Sequence, residues 1–328
     1  MMEKEVLLEV KNLKKWFPIK RGLSFSEKRY IKAVDDVSFT VYKGETLGLV
    51  GESGCGKSTL ARTILRLIEP TGGQVLYRGE DFLQKGKREV KEMRSNLQIV
   101  FQDPYGSLHP KMRVGKIIEA PLVISKYGDK EMRKERVNEL VEMVDLKPEH
   151  LKRYPHEFSG GQRQRIVIAR TLATNPDFVI CDEPVSALDV SVRSQILNLL
   201  RDLQEKLGLT YLFISHDLSV VRFISDRICV MFLGRLCEIG RTAEVYSAPL
   251  HPYTRFLINA IPKADPAARF EEKPLLTGEL PSPTDPPPGC RFHTRCPYAT
   301  ECCRREVPQL RPVAGRLVAC HRAEELHR

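Results

Sequence analysis

The sequence predicts an α/β protein with a mostly parallel sheet, and three features support that prediction. A glycine-rich stretch, GESGCGKST, directly follows the short apolar run at residues 46–50. Two further apolar runs, at residues 178–181 and 211–214, have the length of buried strands. Segments with helical spacing of apolar residues alternate with these runs, and that alternation favours a parallel sheet.

The glycine-rich loop at residues 51–59 matches the pattern G-x-x-x-x-G-K-[ST]. Residues 60–68 continue with apolar side chains at helical spacing, so the loop connects a predicted strand to a predicted helix. Such a loop turns its backbone amides toward phosphates, and the helix N-terminus adds positive potential. Lys57 is expected to reach the β- and γ-phosphates of a nucleotide, and the Ser58 hydroxyl to bind Mg²⁺. The predicted nucleotide-binding residues here are Gly51, Glu52, Ser53, Gly54, Cys55, Gly56, Lys57, Ser58 and Thr59.

Cys55 fills an unspecified position of that pattern, beside Lys57 and a predicted helix N-terminus. A nearby ammonium group and a helix N-terminus both lower the pKa of a thiol. Two interpretations stay open: a reactive thiol, or a small residue that is present only because it fits the loop.

Several other segments predict regular structure. Residues 133–146 and 190–208 place apolar side chains on one helical face, and the second helix is expected to stop at Gly208. The segment VMFLGRLCEI predicts a hairpin that turns at Gly234 and Arg235. The proline-rich stretch at residues 279–290 is expected to run extended before a cysteine-rich tail.

A pair of carboxylates, Asp182 and Glu183, ends the apolar run at residues 178–181. Asp182 is expected to hold magnesium, and Glu183 to orient and polarise the water that attacks the γ-phosphate. The amide of Gln102 can accept from water and bind the metal, which suits a residue that senses bound nucleotide. His216 follows the third apolar run and is expected to contact the γ-phosphate.

A Ser-Gly-Gly turn at the start of a helix predicts a second anion-binding surface. Ser159, Gly160 and Gly161 offer a hydroxyl and exposed amides, and Gln162 follows them. Because one γ-phosphate does not need two complete cradles, this turn is expected to serve a nucleotide bound by another subunit.

Length and composition indicate a globular protein. The 328 residues suffice for about two domains, and 42% are hydrophobic and 29% charged. The net charge of +10 fits an anionic partner or simply a solvated basic surface. The first residues lack the apolar run of a signal peptide, and no apolar stretch approaches the roughly 20 residues of a membrane-spanning helix. A cytosolic protein with reduced thiols is therefore expected.

Five of the nine cysteines lie between residues 290 and 320. In a cytosolic chain, such a cluster favours a metal-binding or catalytic role over a disulfide. Thiolates bind zinc and iron–sulfur clusters alike, so ligand type leaves both open. Structural zinc sites usually pair ligands about two to four residues apart.

In order along the chain, GESGCGKST, the Gln102 loop, FSGGQ, VICDEP, SALD and ISHD resemble the nucleotide-binding subunit of an ABC transporter. The resemblance implies a P-loop NTPase core of RecA-like type, with an N-terminal antiparallel β subdomain and a helical subdomain at about residues 103–165. It implies an ATPase that forms a head-to-tail dimer. Each ATP is then bound between the glycine-rich loop of one subunit and the Ser-Gly-Gly turn of the other. The resemblance also implies that Asp189, in the SALD motif, is a nucleotide-binding residue. It implies an aromatic residue that stacks on adenine, which is Phe17, with Trp16 as the alternative.

The resemblance narrows to one group of importers. YPHEFSGGQRQRI, PLHPYTRFLINAIP and GELPSPTDPPPGCRFHTRCP are similar to the second, F-type ATPase of oligopeptide and dipeptide importers. That group implies an ABC nucleotide-binding domain at residues 1–250 and a C-terminal extension at residues 251–328. It also implies a four-iron, four-sulfur cluster in the extension, with Cys302 as an alternative to the third ligand. The implied cluster ligands are Cys290, Cys296, Cys303 and Cys320. They are separated by five, six and sixteen residues, which disfavours zinc.

The resulting hypothesis is an ATPase that uses ATP and Mg²⁺ to power uptake of di- or oligopeptides from the cytoplasmic face of the cell membrane. Its implied partners are a second ATPase subunit in a heterodimer, two transmembrane permease subunits and an extracytoplasmic peptide-binding protein, with no nucleic acid. Nickel or a glutathione-like peptide is an alternative cargo. The other hypotheses are a soluble ABC protein, which typically carries two cassettes or a long coiled coil, and an iron–sulfur redox sensor.

Overall fold

The computed structural model describes residues 4–19, 29–261 and 281–327. Its strands are β1 (Val6–Pro18), β2 (Tyr30–Tyr42), β3 (Thr46–Val50), β4 (Gly72–Tyr77), β5 (Glu80–Asp81), β6 (Leu97–Val100), β7 (Phe178–Asp182), β8 (Thr210–Ile214), β9 (Arg227–Phe232), β10 (Arg235–Arg241), β11 (Arg311–Val313) and β12 (Arg316–Val318). Its α-helices are α1 (Lys57–Ile64), α2 (Lys87–Met93), α3 (Pro104–Ser107), α4 (Val114–Ile124), α5 (Lys130–Met143), α6 (Gly160–Leu172), α7 (Val190–Leu207), α8 (Leu218–Ile224), α9 (Thr242–Ser247), α10 (Pro252–Asn259), α11 (Glu301–Arg305) and α12 (Ala323–His327). Short 3₁₀ helices cover Phe82–Gln84, Pro148–Lys152 and Pro155–Glu157.

The chain divides into two compact units that interleave along the sequence. The first contains the described parts of residues 1–6, 41–46 and 84–214, and the second those of residues 7–40, 47–83 and 215–328. The glycine-rich loop and the cysteine-rich tail therefore belong to the same unit. The domain boundary at residue 250 stays a prediction. Among the helices of the described residues, none is both long and apolar enough to span a bilayer.

In the first unit, β7 lies between β6 and β8 and pairs with both in parallel. Every residue of β7 and β8 is buried, as the apolar runs at these positions predicted. Helix α4 packs against α5 and α6, and α3 packs against α6. Helix α7 ends at Gly208, whose φ of 65° is the left-handed conformation that closes many helices. The predicted stop of this helix is confirmed.

In the second unit, an antiparallel sheet has the strand order β2-β1-β4-β5. A separate set of strands supports the glycine-rich loop: β3 pairs in parallel with β9, and β9 pairs antiparallel with β10. Strand β12 pairs with β10 on one side and with β11 on the other. The last hairpin of the tail thus extends the ladder that begins at the loop's own strand.

The hairpin between β9 and β10 turns one residue earlier than the sequence predicted. Its loop consists of Leu233 and Gly234, and Arg235 already belongs to β10. The φ angles of the two loop residues are 41° and 80°, as a two-residue type I′ turn requires. The Gly234 N–H donates to the carbonyl of Cys55 at 2.8 Å, and the Asp35 N–H donates to the carbonyl of Gly234 at 2.9 Å. The first bond ties the turn to the glycine-rich loop, and the second ties it to β2.

Two segments differ from the structure that the sequence predicted for them. Helix α1 stops at Ile64, and Arg66 adopts a positive φ of 49°, so the helical spacing up to residue 68 does not continue the helix. The proline-rich stretch contains a turn, in which the Asp285 N–H donates to the carbonyl of Ser282 at 3.2 Å. Its first two residues, 279 and 280, lie outside the described residues.

Packing and pairing hold the tail in place. The Phe292 ring is 1% exposed and lies 5.3 Å from the Tyr253 ring and 5.4 Å from the Phe232 ring, between centroids. A second small core joins the end of the tail to the preceding chain. Its members are Leu250, Val313, Val318 and Ala323, with Cys320 packed against them.

The predicted iron–sulfur extension is wrong. In the described part of the chain, no group of three or more His, Cys, Asp or Glu side chains is arranged to hold a metal ion. Cys290, Cys296, Cys303 and Cys320 do line one cavity, but its volume is about 10 Å³, roughly the space that one water needs. Burial raises the pKa of Cys290 to about 12 and that of Cys296 to about 11. Cys302, the alternative ligand, is exposed.

The cluster was expected from the resemblance to the importer group, as a structural tie within the tail. In the structure the tail has other attachments, since it adds strands to an existing ladder and packs Phe292 against the contacting rings of Phe232 and Tyr253. The redox-sensor hypothesis loses its basis with the cluster.

The buried ion pair between Arg316 and Glu238 provides a test of how the tail is attached. The two side chains are 4% and 0% exposed, and Arg316 also donates to the carbonyls of Glu244 and Ala248. Arg316→Met should lower the free energy of unfolding of the second unit by about 3–5 kcal/mol, because it leaves the Glu238 carboxylate buried without its partner. Urea unfolding followed by circular dichroism measures this change.

A matched control is Arg311→Met, which breaks the tail's ion pair between Arg311 and Glu324, side chains that are 39% and 57% exposed. Surface pairs of this kind contribute little, so its unfolding midpoint should stay close to that of the parent. Equal losses in the two variants would contradict the assigned importance of the buried pair.

Candidate nucleotide-binding site

The glycine-rich loop is built between a fully buried strand and a helix. Strand β3 is buried at every residue, and α1 begins at Lys57. Gly56 has a φ of 109°, and a Cβ there would lie 2.0 Å from the carbonyl oxygen of Ala33. A Cβ on Gly51 would lie 2.1 Å from the carbonyl oxygen of Met231. Only glycine fits at these two positions, so the pattern of the loop follows from close backbone contact.

Lys57 is held inside the loop. Its residue is 5% exposed, and its ammonium donates to the carbonyls of Gly51 at 2.8 Å and Glu52 at 3.1 Å. The cation therefore sits at the start of α1, where the helix N-terminus adds to the positive potential. This arrangement suits a phosphate, as the sequence predicted.

Cys55 is not the reactive thiol that one interpretation proposed. The residue is 4% exposed, and burial raises its pKa in spite of the nearby Lys57 ammonium. Its sulfur lies 3.9 Å from that ammonium. Desolvation outweighs the attraction of the cation, so the structure favours the other interpretation, a small residue that fits the loop.

In the first unit, the structure brings Gln102 and Glu183 together. The Gln102 amide donates to a Glu183 carboxylate oxygen at 2.9 Å. Glu183 has a positive φ of 50°, and its N–H donates to the carbonyl of Ile214 at 3.0 Å, at the end of β8. Asp182, the last residue of β7, is 2% exposed. A strained backbone fixed by strand contacts thus aims a half-buried carboxylate out of the sheet.

The Ser-Gly-Gly turn caps helix α6 as the sequence predicted. The Ser159 hydroxyl accepts from the Gln162 N–H at 3.3 Å, and the Ser159 N–H donates to the Gln162 side-chain oxygen at 3.1 Å. A Cβ on Gly161 would lie 2.4 Å from a methyl group of Val192, so α6 and α7 approach closely here. Ser159 itself is exposed, as is Asp189, the N-cap residue of α7. The turn is rigid yet open to solvent.

His216 lies in the second unit, close to the strand that enters the glycine-rich loop. The preceding residue, Ser215, donates its N–H to the carbonyl of Leu49 at 3.2 Å. His216 itself is exposed. Its contact with a γ-phosphate stays a prediction.

The two candidates for adenine stacking have different surroundings. The Trp16 indole N–H donates to Asp35 at 3.0 Å, and the Lys32 ammonium lies 5.0 Å from its ring. The half-buried Phe17 ring has the Lys15 ammonium 4.9 Å away. The hydrogen bond gives Trp16 a structural role and favours Phe17 for stacking, although the assignment stays a prediction.

The oxygen atoms predicted to hold magnesium are of the type that this ion prefers. They are the hydroxyl of Ser58 in α1, the side-chain carbonyl of Gln102 and the carboxylate of Asp182, a residue that is 2% exposed. In the first unit, a carboxylate buried to this degree at a strand end has to be paired or to bind a cation, so Asp182 is chemically suited to its predicted role.

The sequence argument missed several residues that contact the loop. Arg295 forms an ion pair with Glu52, and the Glu52 N–H donates to the Tyr253 hydroxyl at 2.9 Å. Asp35 is 3% exposed and is bonded to Trp16, Arg235 and Arg291. Arg295 and Glu52 are separated by 243 positions, so no local pattern could have paired them.

The sequence matches two described families. Residues 34–186 match the ABC transporter family, and residues 237–303 match the oligopeptide/dipeptide transporter C-terminal region. The second match covers the His251 to Tyr253 stretch and most of the tail cysteines.

Similar curated proteins match almost the whole chain. The dipeptide transport ATP-binding protein DppF of Escherichia coli (strain K12) is 52% identical over 97% of this chain and 95% of its own length. The oligopeptide transport ATP-binding protein AppF of Bacillus subtilis (strain 168) is 51% identical over 97% of both chains.

Solved structures show the same fold. The ATP-binding cassette MJ0796, in a dimeric post-hydrolysis state bound to ADP and Pi, has a TM-score of 0.63 and 31% identity over 72% of this chain and 99% of its own. The cbiO1 protein of Clostridium perfringens, part of the ABC transporter complex cbiONQ, has a TM-score of 0.64 and 27% identity over 74% of this chain and 92% of its own. The predicted ATP-binding cassette core is therefore confirmed.

Thiol labelling tests the burial of Cys55. In the folded protein at pH 7, maleimide should modify the exposed Cys302 well before Cys55, because burial both hides the Cys55 thiol and lowers its thiolate fraction about tenfold per pKa unit. Mass spectrometry of tryptic peptides over time measures the two rates. In about 8 M urea, which unfolds most domains, the two labelling rates should converge. Equal rates in the folded protein would contradict the assigned burial.

Proposed function

This chain belongs to the family of ATP-binding subunits of oligopeptide and dipeptide ABC transporters, and we propose that it hydrolyses ATP to power the uptake of di- or oligopeptides. The observation that carries the proposal is the extent of the similarity. Relatives named for dipeptide and oligopeptide transport match 97% of this chain, whereas the solved ATP-binding cassette MJ0796 covers 72% of it. Peptides are therefore favoured over nickel as cargo.

In the proposed reaction, the glycine-rich loop binds the nucleotide phosphates. In the structure, the Lys57 ammonium donates to the carbonyls of Gly51 and Glu52. In the proposed complex it contacts the β- and γ-phosphates. Magnesium supplies positive charge that stabilises the transferred phosphoryl group. Ser58, Gln102 and Asp182 are the residues that would hold this ion, and Phe17 would stack on the adenine.

Glu183 acts as the general base. It orients the attacking water and accepts its proton, and the hydrogen bond from Gln102 fixes one oxygen of its carboxylate. Because Gln102 is also expected to bind the metal, its amide can link the presence of nucleotide to the position of Glu183. His216 contacts the γ-phosphate from its exposed position after β8.

Dimerisation completes each site in this proposal. The exposed turn at Ser159, Gly160 and Gly161, with Asp189 nearby in sequence, binds the nucleotide of a second ATPase subunit. That subunit is a different chain, and the pair works on the cytoplasmic face of the membrane with two permease subunits and an extracytoplasmic peptide-binding protein. No described helix spans a bilayer, which agrees with a peripheral subunit.

Glu183→Gln should bind MgATP but hydrolyse it about 10²–10⁴-fold more slowly, because the variant loses a positioned base and keeps the phosphate loop. Single-turnover ATP hydrolysis and nucleotide binding measure the two effects separately. The control is Glu205→Gln, an exposed substitution on α7 of the same unit, which should leave the rate unchanged. Near-parent turnover of Glu183→Gln in the assembled transporter, after correction for the partner's site, would exclude Glu183 as the base.

The heterodimer predicts that the purified chain alone is monomeric or weakly dimeric and has little ATPase activity. Light scattering and ATPase assays check this, before and after addition of the second ATPase subunit and the permeases in vesicles. Peptide uptake into vesicles that contain only this chain and the permease subunits would show that a second ATPase chain is not required.

A further inference from the structure

Arg295, in the C-terminal tail, lies against the glycine-rich loop. Its Nη1 atom donates to both carboxylate oxygens of Glu52, at 3.2 and 3.1 Å. The Arg295 side chain is 9% exposed and that of Glu52 is 26% exposed, so the pair is largely shielded from water. We propose that Arg295 is a positioning residue for ATP binding, which neutralises Glu52 and fixes the loop that holds the phosphates. The proposal rests on the proposed function as an ATP-binding subunit.

Glu52 places a negative charge inside a loop that has to bind anions. The Lys57 ammonium already donates to the Glu52 carbonyl at 3.1 Å, which shows how near the cation lies to this residue. An unpaired Glu52 carboxylate would repel the phosphates and would compete with them for Lys57. The Arg295 guanidinium removes this conflict, because it gives the carboxylate a charged hydrogen-bond partner of its own.

The tail also holds the backbone of Glu52. The Glu52 N–H donates to the hydroxyl of Tyr253, a residue that is 0% exposed. The Tyr253 ring packs against Phe292, three positions before Arg295, with 5.3 Å between ring centroids. The side chain and the main chain of one loop residue are thus both fixed by residues beyond position 250.

A purely structural role for Arg295 would be to attach the tail. Within the described residues, however, its buried Nε atom has no hydrogen-bond partner, and its Nη1 atom donates to Glu52. The tail has other attachments, namely the pairing of β12 with β10 and the bond from Arg291 to Asp35. Glu52 is therefore the group that compensates the charge of Arg295, and the tail does not depend on this pair.

The test is the affinity of the full chain for MgATP, measured by displacement of a fluorescent ATP analogue. Arg295→Met should weaken binding about tenfold, equivalent to about 1.4 kcal/mol. Glu52→Gln should bind MgATP at least as tightly as the parent, because it removes the negative charge. The double variant Glu52→Gln/Arg295→Met should return to within about threefold of the parent, since neither charge is then left alone. Added salt should reduce the loss in Arg295→Met.

Two further variants serve as controls. Arg311→Met removes a tail arginine that pairs with Glu324 at the surface, and its affinity for MgATP should equal that of the parent. If circular dichroism shows that Arg295→Met does not fold, Arg295→Lys and Arg295→Gln replace it. The lysine variant keeps the charge and should bind more tightly than the glutamine variant.

Two results would overturn the proposal: parent-like affinity of Arg295→Met, or a double variant that binds as weakly as Arg295→Met. Lys57→Ala separates this failure from failure of the proposed function. If the parent and Lys57→Ala bind MgATP equally poorly, the ATP-binding function itself is wrong. If only Lys57→Ala loses affinity while Arg295→Met binds normally, the positioning role alone is wrong.

Discussion

A buried carboxylate, Asp35, is the constraint on which the second unit depends. It is 3% exposed and accepts from the Trp16 indole at 3.0 Å, from Arg235 at 2.9 Å and from Arg291. Burial by itself would raise the pKa of Asp35, but Arg291 and Arg235 beside it hold that pKa below its usual value. A buried charge is tolerated only when it is paired, so the N-terminal sheet, the β9–β10 hairpin and the tail have to come together around it.

The glycine-rich loop takes its shape from the same network. Arg291 also donates to the carbonyl of Leu233 in the hairpin turn. The next residue, Gly234, donates to the carbonyl of Cys55 in the loop and accepts from the N–H of Asp35. The loop is thus held before any nucleotide binds, and a preorganised loop loses less conformational entropy on binding. The strict glycine at position 56 follows, because the loop backbone touches its surroundings with no room for a Cβ.

The His-Pro-Tyr stretch shows how the tail joins this arrangement. Burial lowers the pKa of His251 to about 3, so its imidazole is neutral and accepts from the Tyr253 N–H at 3.0 Å as the N-cap of α10. Pro252 occupies the first turn, where its missing N–H has no cost. Tyr253 then reaches the glycine-rich loop through its hydroxyl. A capped, short helix thereby places one side chain against the phosphate-binding loop.

The sequence by itself determined the features that depend on local pattern. The strand, loop and helix around Lys57, the stop of α7 at Gly208 and the cap at Ser159 all follow from residue type and spacing over a few positions. Tertiary structure decided the rest, because desolvation and pairing depend on neighbours that lie far away in the sequence. The pKa of Cys55 is raised although Lys57 is close, the described tail cysteines are not arranged as a metal-binding group, and Glu52 pairs with a residue 243 positions away. Spacing along a chain specifies which residues can share a helix face, but it contains neither burial nor long-range distance.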